Sequence, residues 1–200
     1  MEKAIFNLID QLETLPGIGP KAAQRIAYYI LNTSKGKVSS LLESVAYAKD
    51  NIVFCKECGN YSTEEKCTIC SDSSRDRSII CIVEQPKDVF AMENSGKYNG
   101  LYLVLGGQIN PIENISAEDL RLNLLFQRIK DERFSEIIIA TNLNLEGEVT
   151  ANYIKDKLLS LENAKSCKLT RIASGLPAGS DIEFADQITL GRAIDYRTPI

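Results

Sequence analysis

Four cysteines carry the most specific chemistry in the chain. Cys55 and Cys58 form one C-x-x-C pair, Cys67 and Cys70 form a second, and eight residues separate the pairs. Each pair reverses the chain so that two sulfurs face one point. Two such pairs supply four thiolates to a tetrahedral zinc ion at Zn–S distances of about 2.3 Å. With every position filled by protein, the metal is closed to substrate and to a catalytic water, so one structural Zn2+ per chain is expected. A redox dithiol is the competing reading. Two pairs so close together, neither placed to open a helix, favour the metal. Cys81 and Cys167 fall in apolar strand-like runs and are expected to be buried thiols.

A second set of residues suits phosphate. Leu15-Pro16-Gly17-Ile18-Gly19-Pro20 cannot continue a helix and demands a tight hairpin. Lys21 follows, with Arg25 one turn further on the same helical face. Gly17 and Gly19 allow a partner's backbone to come close, and the N–H groups that open the next helix attract anions. The chain carries a formal charge of −4, which argues against a nucleic-acid binder. Residues 14–42, however, hold Lys21, Arg25, Lys35 and Lys37 with no acidic residue, so this segment stands at +4 and the remainder at −8. Such a face would grip DNA phosphates without reading bases. A helical hairpin with a merely solvated basic face is the plainer reading.

The third set is acidic. Glu84 ends one apolar strand, and Thr141-Asn142-Leu143-Asn144-Leu145-Glu146-Gly147-Glu148 follows a later one. Ligand sites of α/β sheets form at the C-terminal ends of strands. A two-metal phosphoryl-transfer centre would want carboxylates there. The positions best placed beside Glu84 are Asn142 and Asn144, which are neutral. The cluster therefore reads as a partner-binding surface carried by Glu84 and Glu146, with no catalytic residue assigned. The complete absence of histidine removes Ser-His-Asp triads and imidazole bases as well.

These residues need elements to position them. Ile5, Leu8, Ile9 and Leu12 predict an amphipathic helix over 2–13. A second runs from Pro20 to about Leu31 with Ala23, Ile26, Ala27 and Ile30 inward, Pro20 suiting its first position. A third is predicted over 40–51, opened by a Ser40–Glu43 capping box and burying Leu41, Leu42, Val45 and Ala48. From residue 78 the pattern alternates. Strands at 78–83, 101–105, 136–140 and 167–173 are separated by helices at 86–94, 117–130 and 147–161, which implies a mostly parallel sheet covered by helices. No apolar run approaches the ~18 residues of a membrane span. The first residues, MEKAIFNLIDQLETL, lack a cleavable signal pattern, so a cytoplasmic protein is expected.

In this order the motifs resemble the bacterial RecR family of recombination mediators over essentially the whole chain. The resemblance is carried by Leu15-Pro-Gly-Ile-Gly-Pro-Lys21 with Gln24-Arg25, by the four cysteines, and by Val83-Glu84-x-Pro86-x-Asp88. Ala140-Thr141-Asn142, Glu146-Gly147-Glu148, and Gly175-Leu-Pro-x-Gly179 through Thr189-Leu190 complete it. It implies a multidomain α+β and α/β chain: a helix-hairpin-helix domain over 1–53, a four-cysteine zinc finger over 54–77, a Toprim domain over 78–173 and a C-terminal oligomerisation segment over 174–200. It also implies a non-enzymatic, ring-shaped homo-oligomer, expected to be tetrameric, that encircles DNA at the nucleoid. With RecO and RecF, such a ring helps load RecA onto single strands covered by SSB. On this resemblance Gly17, Gly19, Lys21 and Arg25 face DNA, Cys55, Cys58, Cys67 and Cys70 hold zinc, and Glu84 and Glu146 meet RecO. Catalytic Toprim enzymes take metal on D-x-D-x-x-G, whereas this chain has Asn142-x-Asn144-x-x-Gly147. The alternative is a metal-dependent Toprim nuclease or primase-like enzyme using Glu84, Glu146 and Glu148. Leu105-Gly106-Gly107 departs from relatives that carry a histidine before the glycines, which bears on local packing.

Overall fold

A computed structural model describes residues 2–197. They divide after Ile52 into two compact units. The first is helical, with α1 (Lys3–Glu13), α2 (Pro20–Asn32) and α3 (Lys35–Asn51). α1 and α2 meet through Ile9, Ala23 and Ala27, with Ile5, Leu8, Leu12 and Ile18 packed around them. Two alanines one turn apart leave room for α1 to lie close. Pro20 sits in the first turn of α2, where its missing N–H has no intrahelical partner to lose.

α3 departs from expectation. It begins at Lys35 with Ser34 before it, so Ser40 lies inside the helix and forms no capping box with Glu43. Leu41, Leu42 and Val45 are 54%, 63% and 60% exposed, and α3 buries no residue. Periodicity marks an apolar stripe here, but among the described residues nothing covers it.

The second unit opens on a small antiparallel ribbon, β1 (Val53–Phe54) with β2 (Tyr61–Ser62), and a one-turn helix α4 (Thr68–Ser71). Four parallel strands follow: β3 (Asp76–Val83), β4 (Gly100–Val104), β5 (Glu136–Ile139) and β6 (Lys168–Arg171). Their order is β4-β3-β5-β6. The connections carry α5 (Pro86–Asn94), α6 (Leu122–Asp131), α7 (Leu145–Leu159) and α8 (Glu162–Lys165), and α9 (Gln187–Asp195) comes last. From Ile79 onward β3 is apolar, as is β4, because both faces are covered there. Ile80, Ile82, Leu103 and Ile137 pack on one side with Leu125 and Ile129 of α6 and Ile154 and Leu158 of α7. Cys81, Val83, Tyr102 and Val104 pack on the other with Val89 of α5.

Other boundaries also differ from the sequence reading, three of them for a visible reason. The helix expected over 117–130 is broken: a 3-10 turn covers Ala117–Asp119, and α6 starts only at Leu122. Between them the Arg121 N–H is diverted to the Leu105 carbonyl at 2.8 Å. α7 begins at Leu145, because the Asn144 side chain caps it by accepting the Gly147 N–H at 2.9 Å. Cys167 lies just ahead of β6 and is half-buried, its thiol donating to the Phe134 carbonyl at 2.8 Å. No helix among the described residues is long and apolar enough to cross a membrane.

Because β3 lies between β4 and β5, the chain winds outward in opposite directions from it. The crevice at the C-terminal ends of β3 and β5 is thus the topological switch point, where sheets of this kind bind ligands.

Candidate functional site

The four finger cysteines are buried, and their sulfurs all lie within 4.8 Å of one another. A tetrahedral zinc ion holds its sulfurs about 3.8 Å apart, and the Cys58 and Cys67 sulfurs are separated by 3.6 Å. The donor set therefore fits one structural zinc ion. The Cys67 N–H also donates to the Cys55 sulfur at 3.3 Å. Hydrogen bonds from Cys58 and Cys70 pull the Cys67 thiol down to about 2. Cys58 and Cys70 are pushed the other way, by their hydrogen bonds within the cluster and by burial. Four sulfurs this close cannot all carry charge alone. A divalent cation resolves that conflict and lets all four act as thiolates. Contrary to the sequence reading, the second pair does open a helix, since Cys67 precedes α4. The convergence of all four sulfurs, not the lack of a helix, identifies the metal centre.

The hairpin between α1 and α2 is tight and bare. The Ile18 N–H closes it onto the Leu15 carbonyl at 3.1 Å, and Gly17 adopts φ +78°, which favours glycine. A Cβ at Gly17 or Gly19 would meet nothing within 4 Å, so the surface there is open. Lys21 and Arg25 are exposed on α2, and among the described residues neither has an ion-pair partner. The first turn of α2 holds no acidic residue. The cationic charge and the free amides of this turn face solvent uncompensated.

At the switch point the acidic residues are not alike. Glu84 is 3% exposed. Its oxygens accept the Asn142 N–H at 2.8 Å and the Asn142 side-chain amide at 2.5 Å. Burial pushes its carboxyl up, and Asp88 adds to this, while the Asn142 N–H opposes them. The expectation of Glu84 on a contact surface is thus corrected: its carboxylate faces inward and pins the loop after β5. Gly147 is required at the start of α7, because a Cβ there would stand 2.1 Å from the Asn142 carbonyl oxygen. Glu148 pairs with Arg171 at 3.1 Å and with Arg192 at 3.4 Å. The same arginines bond the Asn142 carbonyl at 3.2 Å and the Leu143 carbonyl at 3.3 Å. Glu146 is half-buried and, among the described residues, has no ion-pair partner.

Comparison with known proteins matches the chain in sequence order. The family models are the RecR helix-hairpin-helix over residues 5–49, the RecR four-cysteine zinc finger domain over 52–72, the Toprim domain over 78–173 and the RecR C-terminal region over 175–198. Recombination protein RecR of Tropheryma whipplei is 47% identical over 195 residues, covering 98% of this chain and 96% of that protein. Recombination protein RecR of Leifsonia xyli is 49% identical over 196 residues, covering 98% and 97%. That of Thermobifida fusca is 47% identical over 196 residues, covering 98% and 96%. The chain belongs to the RecR family.

Within this RecR-family chain, the zinc finger is seated on the Toprim sheet by residues that motif reading missed. The Val104 N–H donates to the Cys58 carbonyl at 2.7 Å. Arg128, its side chain only 5% exposed, donates to the Tyr102 carbonyl at 3.1 Å, to the Glu57 carbonyl at 3.4 Å and to Glu132 at 2.7 Å. Arg77 reaches the Cys70 carbonyl at 2.9 Å, and Arg121 lies 4.1 Å above the Phe54 ring. One signal was present for Arg128: a basic residue beside Ile129 on the apolar side of a predicted helix. Arg171 offered another, as a cation closing the last parallel strand.

Proposed function

We propose that this RecR-family protein is a non-catalytic DNA clamp and adaptor of recombinational repair. Its protomers assemble into a tetrameric ring around DNA, in the cytoplasm at the nucleoid. Gly17, Gly19, Lys21 and Arg25 of each protomer contact phosphates without reading sequence. Glu146, in the first turn of α7 just after the loop that buried Glu84 braces, contacts RecO, and together with RecF the ring helps load RecA onto SSB-covered single strands.

The observation that carries this reading is the hairpin: an open glycine turn beside two uncompensated cations at a helix N-terminus. The uncovered stripe of α3 supports assembly, since an exposed apolar patch marks a site of association, and exposed Phe184, Ile188 and Tyr196 in the second unit do so separately. Against the Toprim-enzyme alternative stand the donors at the switch point. Asn142 gives its amide to Glu84, and Glu148 is held by two arginines, so a divalent ion there would have to displace guanidinium groups.

The test is DNA binding across a salt series. The Lys21→Ala/Arg25→Ala variant is expected to bind more weakly, with a log K versus log salt slope shallower by about 0.9 for each phosphate no longer neutralised. A folded variant that binds as tightly as the parent overturns the assignment.

A further inference from the structure

The segment from Ile109 to Ala117, which the proposed function does not use, builds a second surface with α7. Asn110 and Ile115 bridge to each other, and the Asn110 side chain accepts the Ile112 N–H at 3.0 Å and the Glu113 N–H at 3.3 Å. The loop is fastened to α7 by the Ile109 N–H, which donates to the Thr150 hydroxyl at 2.8 Å. Between loop and helix lies a groove of about 530 Å³ whose apolar lining is Ile109, Pro111, Ile115, Ala117, Val149 and Tyr153. Ile112, 88% exposed, and Leu145, 76% exposed, lie on the same loop and helix.

The two segments that form the groove carry charge of one sign. Residues 106–120 and 142–154 contain five acidic residues and no basic one. Two of the five are engaged: Asp119 accepts bonds from Ser116, and Glu148 holds Arg171 and Arg192. Glu113, Glu118 and Glu146 remain without an ion-pair partner among the described residues. Glu113 and Glu118 each adjoin a lining residue in the chain. Glu146 shares a face of α7 with Val149 and Tyr153, three and seven residues on. Arg171 and Arg192 are taken up by Glu148, and Lys157 stacks over the Tyr153 ring at 5.6 Å, at the far end of that face.

We propose that this groove receives a basic amphipathic helix of a protein partner. The helix would seat apolar side chains between Ile115, Val149 and Tyr153 and set lysines or arginines against Glu113, Glu118 and Glu146. The complementarity selects this occupant: an acidic segment would be repelled along the whole rim, and a uniformly polar one would leave the apolar floor wet. The loop is already held by its own hydrogen bonds, so little ordering opposes docking. The proposal deepens the reading of the Toprim face as a partner surface and rests on it only for the partner's identity.

The test uses the full chain and a fluorescein-labelled peptide of leucine and lysine at helical spacing, about 14 residues or four turns long. A scrambled peptide of the same composition is the control, and anisotropy is the readout. The ordered peptide is expected to bind and the scrambled one to bind at least about tenfold more weakly. Val149→Asp removes apolar lining while making the surface more acidic, so groove docking weakens about tenfold whereas plain charge attraction would strengthen. Glu113→Lys/Glu118→Lys is expected to weaken binding and flatten its salt dependence. Equal binding of both peptides, or undiminished binding by Val149→Asp, overturns the proposal. RecO co-elution with Glu146→Lys is read separately. If RecO is retained while the peptide results stand, the groove remains and RecO is not its occupant.

Discussion

The helical unit and the zinc finger solve the same problem in opposite ways. Each is too small to bury much apolar surface alone. The helical unit packs α1 on α2 through Ile9, Ala23 and Ala27 and leaves α3 without a buried residue. The finger has still fewer aliphatics, yet its four cysteines are buried and its backbone is bonded to β4 and to Arg128. One region leaves apolar surface uncovered in the protomer, and the other is closed by its metal site and its neighbours. The same shortage of apolar side chains is thus met by ligand chemistry in one region and left as exposed surface in the other.

This contrast can be broken in several places. The largest effect is expected from Cys67→Ala or from exhaustive chelation. Either should remove on the order of 10 kcal/mol of local folding free energy from the finger. Zinc analysis should fall from one ion per chain to none, with fast amide exchange over residues 53–72 and undisturbed protection in α1 and α2. Loss of protection in both regions would show that they are not independent. Arg128→Met comes next, since it removes charged hydrogen bonds to the buried Tyr102 carbonyl and the half-buried Glu57 carbonyl. A loss of about 2–3 kcal/mol is expected in urea unfolding, with zinc content retained.

A smaller effect should follow pH. Arg75 donates to Glu93 at 2.8 Å through one nitrogen and again through the other, and Tyr102 adds a bond at 2.7 Å. Arg75 thereby holds the Glu93 carboxyl below its ordinary 4.5. The stability this contributes is fully present above pH 4.5 and is lost as pH falls through the lowered value. Glu93→Gln should flatten the acid limb of the stability curve and leave the helical unit's melting unchanged. The smallest stability effect belongs to Val45→Lys on α3, expected to stay within about 0.5 kcal/mol. Its consequence should appear instead in light scattering, as a shift toward lower mass. An unchanged mass would show that this stripe is not an assembly surface.

Much of the architecture was legible because it follows local rules. The C-x-x-C spacing fixes where sulfurs can converge, and apolar runs separated by helical segments imply parallel strands. What escaped depends on distant partners. Periodicity finds the Leu41, Leu42 and Val45 stripe but says nothing about what covers it. Glu84 ends a strand where a surface carboxylate is plausible, and only Asn142, 58 residues away, brings it inside. Arg192 is silent in sequence for the same reason, and Arg171 stands out only as a cation closing a strand, since the meaning of both lies in Glu148. Asn142 and Asn144 stand out in sequence only as missing carboxylates. Their actual tasks, holding Glu84 and capping α7, need coordinates.

The seat of the finger has a consequence for protein engineering. The metal ligands end at Cys70, but the groups that hold the finger come from Arg77, Val104 and Arg128, on three later elements of the fold. The finger is therefore not a portable cassette. A transplant cut at the family boundary would still bind its ion and would lose its orientation, so a chimera between relatives must exchange the finger together with the two strands and the helix beneath it.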